Sequence, residues 1–221
     1  MGQLKTDFKP RSWSFSALHS YENCALQFLL QRTEPVEQAP SWALEHGLAC
    51  HTLMENFLKG LITGMPPELK VFENELNRLK ENGALAEEEL VLDRHWDKVE
   101  GDGAWRSKDA WIRAKLDARL DNLIVDLKTG REYPHYAEQG ELYATMLMQV
   151  DRTINAIDVE FWYTKSGEVA SFSFSRDDHD ERVEMWEARV RKLMNEKHWL
   201  PKINIGCRWC AYQERCEIYD G

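Results

Sequence analysis

From residue 111 to 120 apolar and polar side chains alternate singly, the pattern of a strand with one buried face, and residues 123–127 then run almost wholly apolar. Asp121-Asn122 between them reads as a tight turn, so the two segments predict a hairpin. Residues 154–164 and 168–175 alternate in the same way and are joined at Lys165-Ser166-Gly167. Helical spacing covers 40–60, 68–82 and 136–150, and Asp177-Asp178 caps a long helix that runs to about His198. Gly64-Met65-Pro66-Pro67 is the clearest linker. Strands interleaved with helices predict an α/β fold: a mixed central sheet flanked by helices, with a helical amino-terminal part.

Composition narrows the class without identifying it. At 221 residues and 43% hydrophobic, the chain can bury one substantial core. The amino end has no long apolar run, so neither a secretory signal nor a membrane span is expected. A reducing, cytoplasmic setting follows, in which thiols ligate metal in preference to forming disulfides. The net charge of −10 argues against a broad basic face for gripping nucleic acid. Positive residues nevertheless gather around the hairpin (Arg106, Lys108, Arg113, Lys115, Arg119, Lys128), behind the acidic run Glu87-Glu88-Glu89. They make either a basic rim for a groove or a charged strand face. Among nine tryptophans, Trp13, Trp42, Trp105, Trp111 and Trp209 lie in polar or boundary segments, where an exposed ring can stack on an unpaired base, though core packing accounts for most such rings.

The chemistry concentrates on the hairpin. Asp126 and Lys128 are two apart on a strand and share a face, and Asp117 lies across the turn from Asp126 if the register allows. Two carboxylates beside an ammonium group suit a divalent ion held against a phosphate, with the lysine orienting or deprotonating the attacking water. The alternative is a solvated strand end with a cross-strand ion pair. The apolar run before Asp126 favours a site, because buried strands present ligand sites at their carboxyl ends. In the helix over 40–60, Gly47 and His51 are four apart, and in that over 136–150 so are Gln139 and Tyr143.

In this order, Gly47-x3-His51, Asp117, Asp126-Leu127-Lys128-Thr129-Gly130 and Gln139-x3-Tyr143 resemble the motifs of the RecB-like branch of the PD-(D/E)XK nuclease superfamily. The resemblance runs from Ser14 to Cys216. It implies a restriction-endonuclease-like fold over 1–221, with a mainly helical part at 14–90 and a nuclease core at 91–200. It makes His51, Asp117, Asp126 and the Leu127 carbonyl ligands of Mg²⁺ or Mn²⁺ and Lys128 the catalytic lysine, and it places Gln139 and Tyr143 near the lysine and the substrate phosphates. Two positions depart from the pattern. Ala114 stands where a glycine is common, and the second acid is Asp126 where Glu is commoner.

Three of the five cysteines, Cys207, Cys210 and Cys216, crowd the carboxyl end, and Cys24 is the natural fourth ligand. Spacing alone favours structural zinc. The resemblance implies instead a [4Fe-4S] cluster, as in CRISPR-associated adaptation nucleases and AddB-type nucleases, with 201–221 and Cys24 forming the cluster region that joins both chain ends. Closing so long a loop is worth on the order of 5 kcal/mol, so losing the cluster is expected to harm folding more than chemistry. Cys50 falls outside this scheme and reads as a buried structural thiol.

The expected function is a metal-dependent DNA nuclease, an exonuclease on single strands or duplex ends, in recombination, repair or CRISPR-linked processing. Phage or bacterial origin, a helicase or recombinase partner, and homo-oligomerisation are compatible expectations. A non-catalytic iron-sulfur module that has kept the nuclease fold is the main alternative. A zinc-ribbon interaction protein would explain the cysteines but not the hairpin acids.

Overall fold

The hairpin forms, and it lies inside a five-stranded sheet. In the computed structural model, which describes residues 7–37, 39 and 41–219, β1 (Leu85–Leu92), β2 (Ile112–Leu120), β3 (Leu123–Lys128), β4 (Ala156–Tyr163) and β5 (Val169–Ser175) lie side by side in chain order. All neighbours are antiparallel except β3 and β4. Asp121 makes the hairpin turn with φ near +50°, a left-handed conformation that a short side chain with a carboxylate tolerates. The parallel pair requires a crossover, and α5 (His135–Val150) supplies it. Gly140 lets α5 sit close on β4: a Cβ there would lie 3.2 Å from Val159 Cγ1 and 3.3 Å from Phe161 Cε2.

On the other face α3 (Trp42–Leu58) and α4 (Glu73–Glu81) cover the sheet. Cys50, Met54, Phe57 and Leu58 of α3 and Leu76 and Leu79 of α4 pack in one cluster with Ala118, Val125, Leu127 and Trp162. Phe72, just ahead of α4, stacks on Trp162 with ring centres 4.9 Å apart. Cys50 is fully buried there, as expected of a structural thiol. The helix expected over 68–82 is split: Pro67–Phe72 winds as a tighter 3₁₀ turn after Pro66, and the α-helix proper starts only at Glu73. Pro40, included in the helix expected over 40–60, lies outside the described residues.

β1 has no counterpart in the expected elements. Its first half carries Glu87-Glu88-Glu89, whose polar run hides the strand pattern, and only Leu90, Val91 and Leu92 are buried. These glutamates are strand residues that pair across to β2: Arg119 forks onto Glu88 at 2.5 and 3.2 Å, and Lys115 pairs with Glu87. Two members of the proposed basic rim are thereby tied down within a charged strand face.

The sheet and the helices covering it belong to a unit spanning Pro40–Val183. A second unit combines the residues up to Ala39 with those from Glu184 onward. In this second unit α1 (Phe15–Asn23) and α2 (Ala25–Thr33) meet at Cys24, which is both the C-cap of the first and the N-cap of the second. Its aromatic core includes Trp13 stacked with Trp186 at 6.2 Å and Phe28 stacked flat on Trp199 at 5.9 Å. The last long helix, α6 (His179–Met194), ends earlier than expected, and Glu196 Oε1 accepts the N–H groups of Lys197 and His198 at 2.8 Å each to turn the chain. Trp13 and Trp111 are buried, while Trp42 and Trp209 are exposed. Among the described residues no helix is long and apolar enough to cross a membrane.

Since α3 carries His51 and is anchored through Phe57, Phe57→Ala is expected to cost about 3–5 kcal/mol. A fall in the urea midpoint, with an unchanged dependence of stability on urea concentration, is the measurement that checks it.

Candidate active site

β2 and β3 pair as far as Ala118 and Val125, where the recorded ladder ends. Beyond that pair the Asp117 carboxylate takes over from the backbone. Its Oδ2 accepts the Leu127 N–H at 2.7 Å and its Oδ1 lies 3.0 Å from His51 Nδ1. Asp117 therefore joins the hairpin to α3 where the strands part. Gly47, one turn before His51, marks the close approach of α3 to the next segment: a Cβ there would stand 3.3 Å from Thr129 Oγ1. Two separate parts of the expected motif set thus meet in space.

The second half of the site hangs from α5. Gln139 Nε2 donates to Asp126 Oδ1 at 3.2 Å and to the Tyr143 hydroxyl at 2.6 Å, while its Oε1 accepts from Lys128 Nζ at 3.1 Å. One amide fixes three functional groups, and only this orientation of its oxygen and nitrogen satisfies them all. Lys128 Nζ is also 2.7 Å from Asp126 Oδ2. This charge-assisted contact favours the ionised carboxylate against the cost of its burial. The lone pairs that the carboxylate does not share with Lys128 and Gln139 are available to a cation.

Electrostatics agree with that reading. Burial pushes the Asp126 carboxyl up to about 6, with the Asp117 charge adding to the rise and the Lys128 charge opposing it. For His51, burial lowers the pKa, but the bond to Asp117 and the charges of both aspartates outweigh it and leave it raised. Burial, reinforced by the Asp126 charge, holds the Tyr143 phenol well above its ordinary value, so its hydroxyl stays protonated.

One residue was not foreseen. Glu87 of β1 offers a carboxylate oxygen that lies, with one ligand atom each from His51 and Asp117, in a group within 4.8 Å of one another. Its backbone has φ near +57°, an uncommon conformation for glutamate of the kind that clusters at functional sites. The only sequence signal for it was the acidic run itself, which also fits a solvated face. His51, Glu87 and Asp117 together form a nitrogen-and-oxygen donor set suited to a divalent cation such as Mn²⁺.

The cysteines are arranged more loosely. Cys24, Cys207, Cys210 and Cys216 line one pocket in the second unit, beside Gln27 and Asn204. Lys202 Nζ and Asn204 Nδ2 hold the carboxyl-terminal segment to the Glu22 and Asn23 carbonyls at 3.0 and 3.1 Å. Burial raises the Cys210 thiol, and the charges of the other three add to the shift. No three of these sulfurs lie within 4.8 Å of one another, so the tight group of thiols expected from the sequence is not assembled. Four thiolates on one zinc would stand about 3.8 Å apart, given a Zn–S distance of about 2.3 Å.

The model of the PD-(D/E)XK nuclease superfamily matches residues 12–217. Among solved structures, the chain is similar to the one described as "Crystal structure of SSO0001", with 15% identity and a TM-score of 0.46, covering 97% of this chain and 89% of that one. No curated protein matches it.

If Glu87 is a ligand, Glu87→Gln is expected to weaken Mn²⁺ binding roughly tenfold or more. Isothermal titration of the purified protein reads this without any turnover. Mn²⁺ is likewise expected to raise the melting temperature of the wild type and to leave Asp126→Asn almost unmoved.

Proposed function

The chain belongs to the PD-(D/E)XK nuclease superfamily and has its restriction-endonuclease-like fold, and on that basis we propose that it is a metal-dependent deoxyribonuclease acting on single strands or duplex ends. The observation that carries the proposal is the convergence of Asp126, Lys128 and Gln139 at the carboxyl end of β3, beside the Asp117 and His51 pair. A structural ion pair alone would not require the half-buried Gln139 and the buried Tyr143 to organise it.

In this reading His51, Asp117, Asp126 and the Leu127 carbonyl hold Mg²⁺ or Mn²⁺, with Glu87 as a further ligand. The ion, when bound, polarises the phosphodiester and lowers the pKa of water. Lys128 Nζ, which donates to Gln139 Oε1, would orient a water for in-line attack. Gln139 ties the pair together, because its oxygen accepts from the lysine while its amide nitrogen donates to the aspartate. Tyr143, held protonated, keeps a hydroxyl rather than a second negative charge beside Asp126.

We further assign the chain to the RecB-like, iron-sulfur branch. The sequence spacing of the four cysteines supports this, and so does their position around one pocket. A cytoplasmic role in recombination, repair or CRISPR-linked processing, in a bacterium or an infecting phage and alongside a helicase or recombinase, fits this branch.

End-labelled single-stranded and duplex DNA, incubated with Mn²⁺ or Mg²⁺ and anaerobically purified protein, tests the activity. Lys128→Ala is expected to lose roughly 10² to 10⁴-fold in rate while melting like the wild type. Cutting by Lys128→Ala within a few-fold of the wild type would remove the lysine from the mechanism, and no cutting by folded wild type would favour a DNA-binding module. For the cluster, iron and sulfide analysis is expected to give equal amounts of each, and Cys210→Ser is expected to lower the melting temperature and solubility.

A further inference from the structure

Resting on the nuclease reading, we propose that Tyr133, set between Arg131 and His135, is a stacking platform for the nucleobase next to the phosphate being cleaved at a strand end. The segment that links β3 to α5 begins directly after Lys128-Thr129-Gly130 and carries Arg131, Tyr133, His135 and Tyr136 within six residues. The rings form a continuous path outward from the site. Lys128 Nζ lies over the Tyr136 ring at 4.3 Å and the Phe161 ring at 5.3 Å, and these two rings stack at 5.5 Å. Tyr136 meets Tyr133 edge-on at 5.8 Å, and Tyr133 stacks on His135 at 5.4 Å with an interplanar angle of 20°.

Position along this path decides the role of each ring. Tyr136 and Phe161 are used internally, as the floor under Lys128. Tyr133 is 38% exposed although it stacks on His135 and meets Tyr136 edge-on, so part of the ring reaches solvent while its neighbours order it. Pro134 follows it, and the Tyr136 N–H donates to the Tyr133 carbonyl at 3.0 Å, which limits the backbone freedom of the platform. Arg131 Nε donates to the Tyr133 hydroxyl at 3.1 Å, and the guanidinium carbon lies 5.2 Å from the ring centre. A positive charge therefore lies over the ring, within reach of the backbone of a strand whose base lay on the exposed part of Tyr133.

This arrangement recognises a π-face and a phosphate rather than hydrogen-bonding edges, so the ligand is an unpaired nucleotide of any sequence. A paired base has both faces covered by its neighbours in the duplex and presents only its edges. The platform thus selects single strands and frayed or terminal nucleotides, independently of the metal ligands.

The test measures binding without cleavage, by fluorescence anisotropy of labelled single-stranded DNA on the full chain with Ca²⁺ in place of Mn²⁺. One oligonucleotide is ordinary, and a second lacks the bases of its last two nucleotides at either end. The wild type is expected to bind the ordinary strand roughly 5- to 150-fold more tightly than the abasic one, the range for loss of one stacked base. Tyr133→Ala is expected to bind both strands with the weaker affinity, and Tyr133→Phe to stay close to the wild type. Equal binding of the two strands by the wild type overturns the platform and needs no variant to fold. An abasic penalty that persists in a folded Tyr133→Ala protein also overturns it, because stacking then occurs elsewhere. Absence of DNA binding by the wild type overturns the nuclease reading itself.

Discussion

The Asp117 carboxylate is the constraint on which the site depends. A hairpin whose ladder ran on would satisfy the Leu127 N–H with backbone and keep β2 and β3 together at the place where a substrate must enter. Asp117 accepts that N–H instead, so the strands part without leaving a buried donor unsatisfied. Its other oxygen reaches His51, and this fixes the depth and rotation of α3 against the sheet. Gly47 eases that approach, because a Cβ there would stand 3.3 Å from the Thr129 hydroxyl and press it back by a few tenths of an ångström.

The cost of the arrangement falls on Asp126. It is buried beside a second carboxylate, and its raised pKa expresses the disadvantage of ionising there. Lys128, 2.7 Å from one of its oxygens, offsets part of that disadvantage. A divalent cation bound beside the two carboxylates would offset more of it. The strained backbone of Glu87 belongs to the same account. Its conformation is unfavourable for glutamate and delivers a carboxylate to the His51 and Asp117 side of the site.

The sequence was legible where period and burial coincide. The alternation over 111–120 and the apolar run at 123–127 gave the hairpin to within a residue, and the spacing of Gln139 and Tyr143 put both on one face of α5, where they hydrogen-bond to each other. β1 was not legible, because its acidic half pairs with basic residues on β2 and so buries little apolar surface. Glu87 was hidden with it. Its role depends on a left-handed backbone and on the partner across the ladder, and neither leaves a mark in composition. The four cysteines were legible as a set that lines one pocket, but one-dimensional spacing cannot fix sulfur positions, and no three of the sulfurs come within 4.8 Å of one another.

The charge balance limits how this protein can hold an acidic polymer. The hairpin cations suggested a basic rim, yet Arg119 and Lys115 are engaged by the glutamates of β1, and Arg113 and Arg94 lie over Trp105 and Trp111. A chain of net charge −10 with its local cations so engaged has little nonspecific attraction for a phosphate backbone. Binding must then come from contacts that do not scale with the number of phosphates. A divalent ion at Asp117 and Asp126 reverses the local sign for one phosphate, and a ring such as Tyr133 contributes through the base rather than the backbone. Both act on one or two nucleotides at a time. In the proposed reading this ties preference for an unpaired end to the acidic body: a long duplex offers many phosphates, which this surface cannot use, while a strand end offers an uncovered base and one accessible phosphate, which it can.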